Sequence, residues 1–204
     1  MNTSSIIADL TKTSAETSAG RIDHLDWQRI TKELGEEGSA LLPHILSPRE
    51  CRSVAALYPD DPLYRSRVVM GRHGFGRGEY KYFKYPLPAL IQSLRAAIYP
   101  RLVPIANSWN QAMGVDARYP EQHIHFVRRC HEAGQLRPTP LLLQYGEGDY
   151  NCLHQDLYGE HVFPIQVSHF VVRTGKRFYG WRICVNGATP AYAVAARGSP
   201  TGAR

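Results

Sequence analysis

The residues best placed to do chemistry in this chain are His154 and Asp156, two apart in the stretch 141–167, LLLQYGEGDYNCLHQDLYGEHVFPIQV. The stretch reads as strands joined by a glycine-rich turn over Tyr145–Tyr150, with Asn151 and Cys152 leading into the pair. On a strand, side chains at i and i+2 share a face, so the imidazole and the carboxylate would converge on one point. Two imidazoles and one carboxylate on one face of a metal form the donor set of a non-heme Fe(II) oxygenase, with three positions left open for cosubstrate and oxygen. His154 and Asp156 would be two-thirds of that set. A surface histidine beside a turn aspartate is an equal alternative on pattern alone.

Other constellations carry less. His123, His125, Cys130 and His131 suggest zinc, but on a helix 123 and 125 occupy different faces and 131 is offset from both. A tetrahedral site needs convergent ligands, so these read as scattered helix residues. Gly71–Gly78 (GRHGFGRG) lacks the spacing of a phosphate cradle and lies between two strands rather than opening a helix. It reads as a mobile loop, or as a substrate loop whose arginines meet an anion. The run Tyr80–Tyr85 (YKYFKY) alternates aromatic and basic residues, as a half-buried strand or an aromatic binding wall would. No GxSxG is present and no cysteine has an evident catalytic context.

The elements that must position these residues are legible in part. Asp26–Leu34 reads as a short amphipathic helix stopped by Gly35 and Gly38, and Ser39–Leu46 as a strand. Ser47-Pro48-Arg49-Glu50 is a helix start, with a serine cap, proline at N1 and glutamate at N3. That helix should run to about Tyr58. Arg65–Phe83 reads as strand, turn and strand; Leu87–Met113 as helical but interrupted at Pro100 and Pro104; Pro120–Ala133 as a further helix. Helices mainly precede strands, which points to an α+β fold with its sheet toward the C-terminal end.

The totals suit one soluble domain: 204 residues, 43% hydrophobic and 21% charged. No apolar run approaches a membrane span. Residues 1–24 open without a secretory pattern and read as a flexible extension. Four widely spaced cysteines without a CxxC fit a reducing, cytoplasmic setting. The net charge of +6 suggests a polyanion partner, but its placement argues otherwise. Residues 168–204 hold six basic residues and no Asp, Glu or Leu, which leaves residues 1–167 neutral in total. With that tail set aside, nucleic-acid binding has no compositional support.

The segments 66–88 (SRVVMGRHGFGRGEYKYFKYPLP) and 137–167 resemble a bacterial family of 2-oxoglutarate- and Fe(II)-dependent oxygenases, a branch of the prolyl-hydroxylase-like double-stranded β-helix enzymes. The resemblance runs from about Asp26 to Val167 and is most specific over Tyr145–Gln166. It implies a jelly-roll core covered by N-terminal helices within residues 25–167. It implies Fe(II) on His154 and Asp156, 2-oxoglutarate as cosubstrate with Tyr145 near its carboxylate, and O2. The reaction implied is hydroxylation of a substrate C–H bond coupled to decarboxylation of 2-oxoglutarate; the resemblance does not name the substrate.

The family pattern also needs a distal histidine and then an arginine for the cosubstrate. After Val167 this chain has one histidine, His169, directly on the next strand. Permitted codons for Ser168–Arg177, read with the first nucleotide removed, encode Ala-Ile-Leu-Leu-Ser-Glu-Pro-Gly-Lys-Asp, with acids and leucines that the tail lacks. Residues 168–204 therefore read as an aberrant, disordered basic tail produced by a frameshift. On that reading the β-helix core is incomplete and the chain inactive. The alternative is a non-catalytic module that holds an anionic ligand through the basic and aromatic region Arg72–Tyr85.

Overall fold

A computed structural model describes residues 17–152, 154, 161–169 and 181–185. In chain order these form α1 (Ser18–Asp23), α2 (Trp27–Glu37), β1 (Ser39–Leu42), α3 (Pro48–Ala55), β2 (Tyr64–Val69), β3 (Glu79–Phe83), α4 (Ala89–Ala112), α5 (His123–Glu132), β4 (Leu141–Gln144), β5 (Ile165–His169) and β6 (Trp181–Val185). The fold is mixed, helices with small antiparallel sheets, but strands alternate with helices instead of following them. No helix among the described residues is long and apolar enough to cross a membrane.

Local chemistry sets the helix ends. Asp26 Oδ1 accepts from the Arg29 amide at 2.9 Å and starts α2. Gly35 is tolerated inside it, and Gly38 ends it in the left-handed region at φ 67°. Ser47 and Glu50 form the full capping box of α3. Glu50 also pairs with the Arg21 guanidinium, whose Nε donates to the Ile45 carbonyl at 2.7 Å. Those contacts tie down α1, which begins at Ser18 inside the stretch read as an extension and buries Ile22 completely.

Pro100 and Pro104 do not interrupt α4, contrary to the sequence expectation. Each interior proline costs about 3 kcal/mol through a lost bond and a clash. Both prolines are exposed, where water can serve the carbonyls four residues back. On the other side α4 buries six large side chains, Leu94, Ile98, Tyr99, Leu102, Val103 and Ile105, at roughly 1.5–3 kcal/mol each. The burial outweighs the prolines. Leu94, Ile98 and Leu102 join Ile22, Ile30, Leu34, Leu42 and Ile165 in the main core, so α4 is the beam on which α1, α2 and the first sheet pack.

Two three-stranded antiparallel sheets are described, ordered β1–β6–β5 and β2–β3–β4. In the first, Ala40 pairs with Ile183 and Val167 also with Ile183. β6 lies within the segment read as an aberrant tail; residues 170–180 and 186–204 lie outside the described residues. In the second, Arg67 pairs with Lys81 and Lys81 with Leu142. A jelly roll needs eight strands in two facing sheets. The six described strands establish the sheets and not that closure.

The inner face of β2–β3–β4 holds a polar network. Lys81, 6% exposed, donates to the Tyr58 carbonyl at 2.9 Å and to Asp61 at 2.6 Å, and sits 4.5 Å over the Tyr58 ring. Tyr58 donates to Glu79, which also binds Arg67.

Two partly buried imidazoles make stability sensitive to mild acid. His123 opens α5 with its ring 5.2 Å from that of Tyr99. Burial, and then the positive charge of Arg95, lower its pKa to about 4. Burial likewise lowers His169 to about 4. Both folded values lie below the ordinary value near 6.5, so the unfolded chain takes up protons that the folded one refuses as pH falls from about 6.5 to 4. The stabilisation is complete above 6.5 and lost across that window. The free energy of urea unfolding should drop between pH 7 and 5 by on the order of 1 kcal/mol per unit, with a shallower slope for His123→Phe. A profile flat over that interval, and indifferent to the substitution, would contradict this.

Candidate functional site

The approach to His154 is built by two glycine-rich segments that grip each other. β2 ends at Val69, and the chain turns through Met70–Gly78 before returning as β3. The Arg77 amide donates to the Tyr150 carbonyl at 2.8 Å, the Cys152 amide to the Phe75 carbonyl at 2.9 Å, and Gly76 forms an isolated bridge with Asn151. Glycine is required at the crossing. A Cβ on Gly76 (φ 120°) would lie 2.2 Å from the Tyr150 oxygen. One on Gly78 (φ 108°) would lie 2.8 Å from Cδ1 of Tyr145. The loop left open between mobile segment and substrate loop is therefore a clasp on the chain just before His154. It leaves Arg72, His73, Phe75 and Arg77 exposed, with the His73 and Phe75 rings stacked 5.3 Å apart.

Between β4 and the clasp, Asp149 Oδ2 accepts from the Gly146 amide at 2.8 Å and closes the predicted turn. Tyr145 follows β4 directly, half-exposed, its ring against Gly78. Burial, and then the Asp149 carboxylate, raise its phenol above the ordinary value, so it remains a hydrogen-bond donor near neutral pH.

His154 is exposed, with Nδ1 2.7 Å from the Cys152 carbonyl. A carbonyl only accepts, so this geometry puts the proton on Nδ1, the kind of backbone support that metal-bound imidazoles use. The ligand strand expected from sequence is not seen: Cys152 and His154 have irregular backbone, because residues 150–152 pair with the clasp and not with a neighbouring strand. Asp156 lies outside the described residues. Among those described, no three His, Cys, Asp or Glu residues cluster as a metal site. An imidazole braced at Nδ1 suits an iron site in its chemistry, and the Tyr145 phenol, nine residues earlier in the chain, can donate to a carboxylate.

Apart from His73 on the clasp, other histidines lie elsewhere. His169, on β5, has Nε2 3.7 Å from Cys51 Sγ on α3. His123 and His131 face aromatic rings, Tyr99 and Tyr85, along a groove of about 490 Å³ between α4 and α5. None of the residues lining that groove belongs to the clasp or to the segment around His154. His123 and His131 thus lie against separate aromatic rings. What sequence reasoning missed is the pairing of Gly76 with Asn151. Two glycine-rich turns were visible; their contact, some seventy residues apart in the chain, was not.

A family model described as "Oxygenase, catalysing oxidative methylation of damaged DNA" matches residues 78–197, more than half of the chain. The chain belongs to this oxygenase family. The matched span contains the end of the clasp, Tyr145, His154 and Asp156, and continues past Val167. Two relatives, both uncharacterized proteins of Mycobacterium tuberculosis (strains CDC 1551 / Oshkosh and ATCC 25618 / H37Rv), are each 46% identical to this chain over 100 residues. The alignment takes in 48% of this chain and 43% of each relative, so the chain spans less than half the length of the curated proteins it matches. No solved structure matches it.

Proposed function

We propose that this oxygenase is Fe(II)- and 2-oxoglutarate-dependent and hydroxylates a C–H bond on a damaged DNA base. The observation that carries the reading is His154 braced at Nδ1 by the Cys152 carbonyl, at the end of the clasp and nine residues after Tyr145. His154 Nε2 and the Asp156 carboxylate would hold the metal. The Tyr145 phenol would donate its proton to a carboxylate oxygen of the cosubstrate. The clasp fixes the direction from which His154 approaches. Bound iron supplies dioxygen activation coupled to oxidation of 2-oxoglutarate to succinate and CO2. Damaged DNA comes from the description of the family; an oxygenase inserts oxygen, so the bond at risk is a C–H of the lesion.

Whether this 204-residue polypeptide turns over depends on residues 168–204. On the frameshift reading the third ligand and the cosubstrate arginine are missing, and the contact of His169 with Cys51 supports that reading. A second reading takes the tail as the family's own C-terminal region. It is favoured by the match running to residue 197 and by β6 pairing between β1 and β5. The purified chain and one translated from the shifted frame after codon 167 can be given Fe(II), 2-oxoglutarate, O2 and an alkylated oligonucleotide, with succinate measured. Succinate from the shifted chain alone supports the first reading; succinate from the present chain supports the second. Absence of 2-oxoglutarate-coupled succinate from both, together with absence of metal binding, ends the oxygenase mechanism proposed here.

A further inference from the structure

We infer that the outer face of the β2–β3–β4 sheet is a stacking platform for an unpaired base of the DNA strand, with Tyr80 and Tyr82 as the rings and Arg65 as a phosphate anchor. The inference rests on the DNA-directed reading above and takes the aromatic-wall alternative for Tyr80–Tyr85 to a named ligand and named residues.

Strand register separates the two faces of this sheet. Lys81, Phe83 and Glu79 point inward, with Tyr64 stacked on Phe83 at 4.8 Å. Tyr80 and Tyr82 point the other way, beside Val68 and Ser66 on β2 and Leu143 and Leu141 on β4. Leu143 is 45% exposed, and Tyr145, next but one, is 44% exposed and continues the same face. The proposed cosubstrate tyrosine and the two platform tyrosines therefore share one open surface. Tyr80 and Tyr82 are half-buried beside the exposed Leu143 and Tyr145, and a cluster of aromatic and apolar side chains open to solvent on one face suits a binding surface.

A bulge brings a cation to it. The register slips between Tyr64 and Ser66, so Arg65 is an extra residue, and its guanidinium turns over the Tyr82 ring at 4.2 Å. The tyrosine rings meet edge to face, 5.5 Å apart at 87°. Arg65 is exposed and can move from the ring to a phosphate while a base takes its place. Base–aromatic stacking is stronger than an exposed cation–π contact, so the exchange favours the bound state.

The charge pattern selects the occupant. Residues 1–167 are neutral in total, yet residues 64–85 carry six basic side chains and one acidic. The single acid, Glu79, lies on the inner face, bound by Arg67 and Tyr58. Arg65 on the face, Arg72 and Arg77 on the exposed clasp and Lys84 just past β3 are left to meet a polyanion. Rings bordered by cations, with no carboxylate at the outward positions of β2, β3 and β4, are the recognition chemistry of single-stranded nucleic acid.

The test uses the metal-free chain, without 2-oxoglutarate, and a fluorescently labelled single-stranded oligonucleotide read by anisotropy. Tyr82→Leu should weaken binding about tenfold, and Tyr82→Trp should restore it. Arg65→Ala should weaken binding and lower the slope of log affinity against log salt by about one. The wild-type chain should bind an abasic oligonucleotide about tenfold more weakly than the intact one, a measurement that needs no variant to fold. The proposal is overturned by equal affinity for abasic and intact strands, by tighter binding of duplex than of single strand, or by a folded Tyr82→Leu that binds like wild type. Base-dependent binding without 2-oxoglutarate-coupled succinate would leave the platform and remove the mechanism. Succinate formation on DNA that is indifferent to Tyr82→Leu would do the reverse.

Discussion

Replacing Gly76 with alanine should open the clasp and cost about 3 kcal/mol or more of stability. Two terms add. The backbone stands at φ 120°, which an L side chain occupies only under strain of about 1–3 kcal/mol. The new methyl would also lie 2.2 Å from the Tyr150 carbonyl oxygen and 3.1 Å from Asn151 Cα. Both are backbone atoms, so neither can rotate away. Separating the segments would release the bonds from Arg77 to Tyr150 and from Cys152 to Phe75. Gly74→Ala is the matched control: φ is 71°, but nothing lies within 4 Å of the added carbon, so only the left-handed penalty of about 1–2 kcal/mol applies. Urea unfolding gives the two free energies, and hydrogen exchange of the Arg77 and Cys152 amides reports the clasp directly. If Gly76→Ala is no more destabilising than Gly74→Ala, and the two amides stay protected, the clasp does not hold this region.

That contrast also marks what a sequence can and cannot disclose. The Ser47–Glu50 box was legible because its partners lie three residues apart and answer only to the local backbone. The strand–turn–strand of Arg65–Phe83 was legible for the same reason. Pro100 and Pro104 misled because proline's local cost was visible while the compensating burial of Ile98, Leu102 and Ile105 depends on α1, α2 and β1, which the sequence does not place beside them. Strand geometry for His154 failed in the opposite way. The local pattern was strand-like, but the pairing partner of residues 150–152 proved to be a loop, so the backbone is irregular. The bulge at Arg65 could not be anticipated at all: it exists only in the register between β2 and β3.

The residue His154 carries the largest functional expectation. Its Nδ1 sits 2.7 Å from the Cys152 carbonyl, and that carbonyl's residue is anchored through its own amide to Phe75. The ring is thus oriented by a backbone that the clasp has already fixed, and with the proton held at Nδ1, Nε2 is the nitrogen that would hold the proposed metal. His154→Ala removes the donor together with this orientation. In an anaerobic Fe(II) titration, affinity should fall at least a hundredfold, about 3 kcal/mol, and Asp156→Ala should fall comparably. His125→Ala, on α5, should stay within about twofold of wild type, because that helix brings no third ligand to it among the described residues. Gly76→Ala should lie between, weakening metal about tenfold, since loss of a supporting shell typically costs 10–100-fold while every ligand remains. That ordering is specific to an imidazole positioned by the clasp. If His154→Ala binds Fe(II) as tightly as wild type, the metal lies elsewhere and the clasp has only a structural role. If His154→Ala loses metal while an opened Gly76→Ala keeps full affinity, the histidine is a ligand that needs no help from the loop.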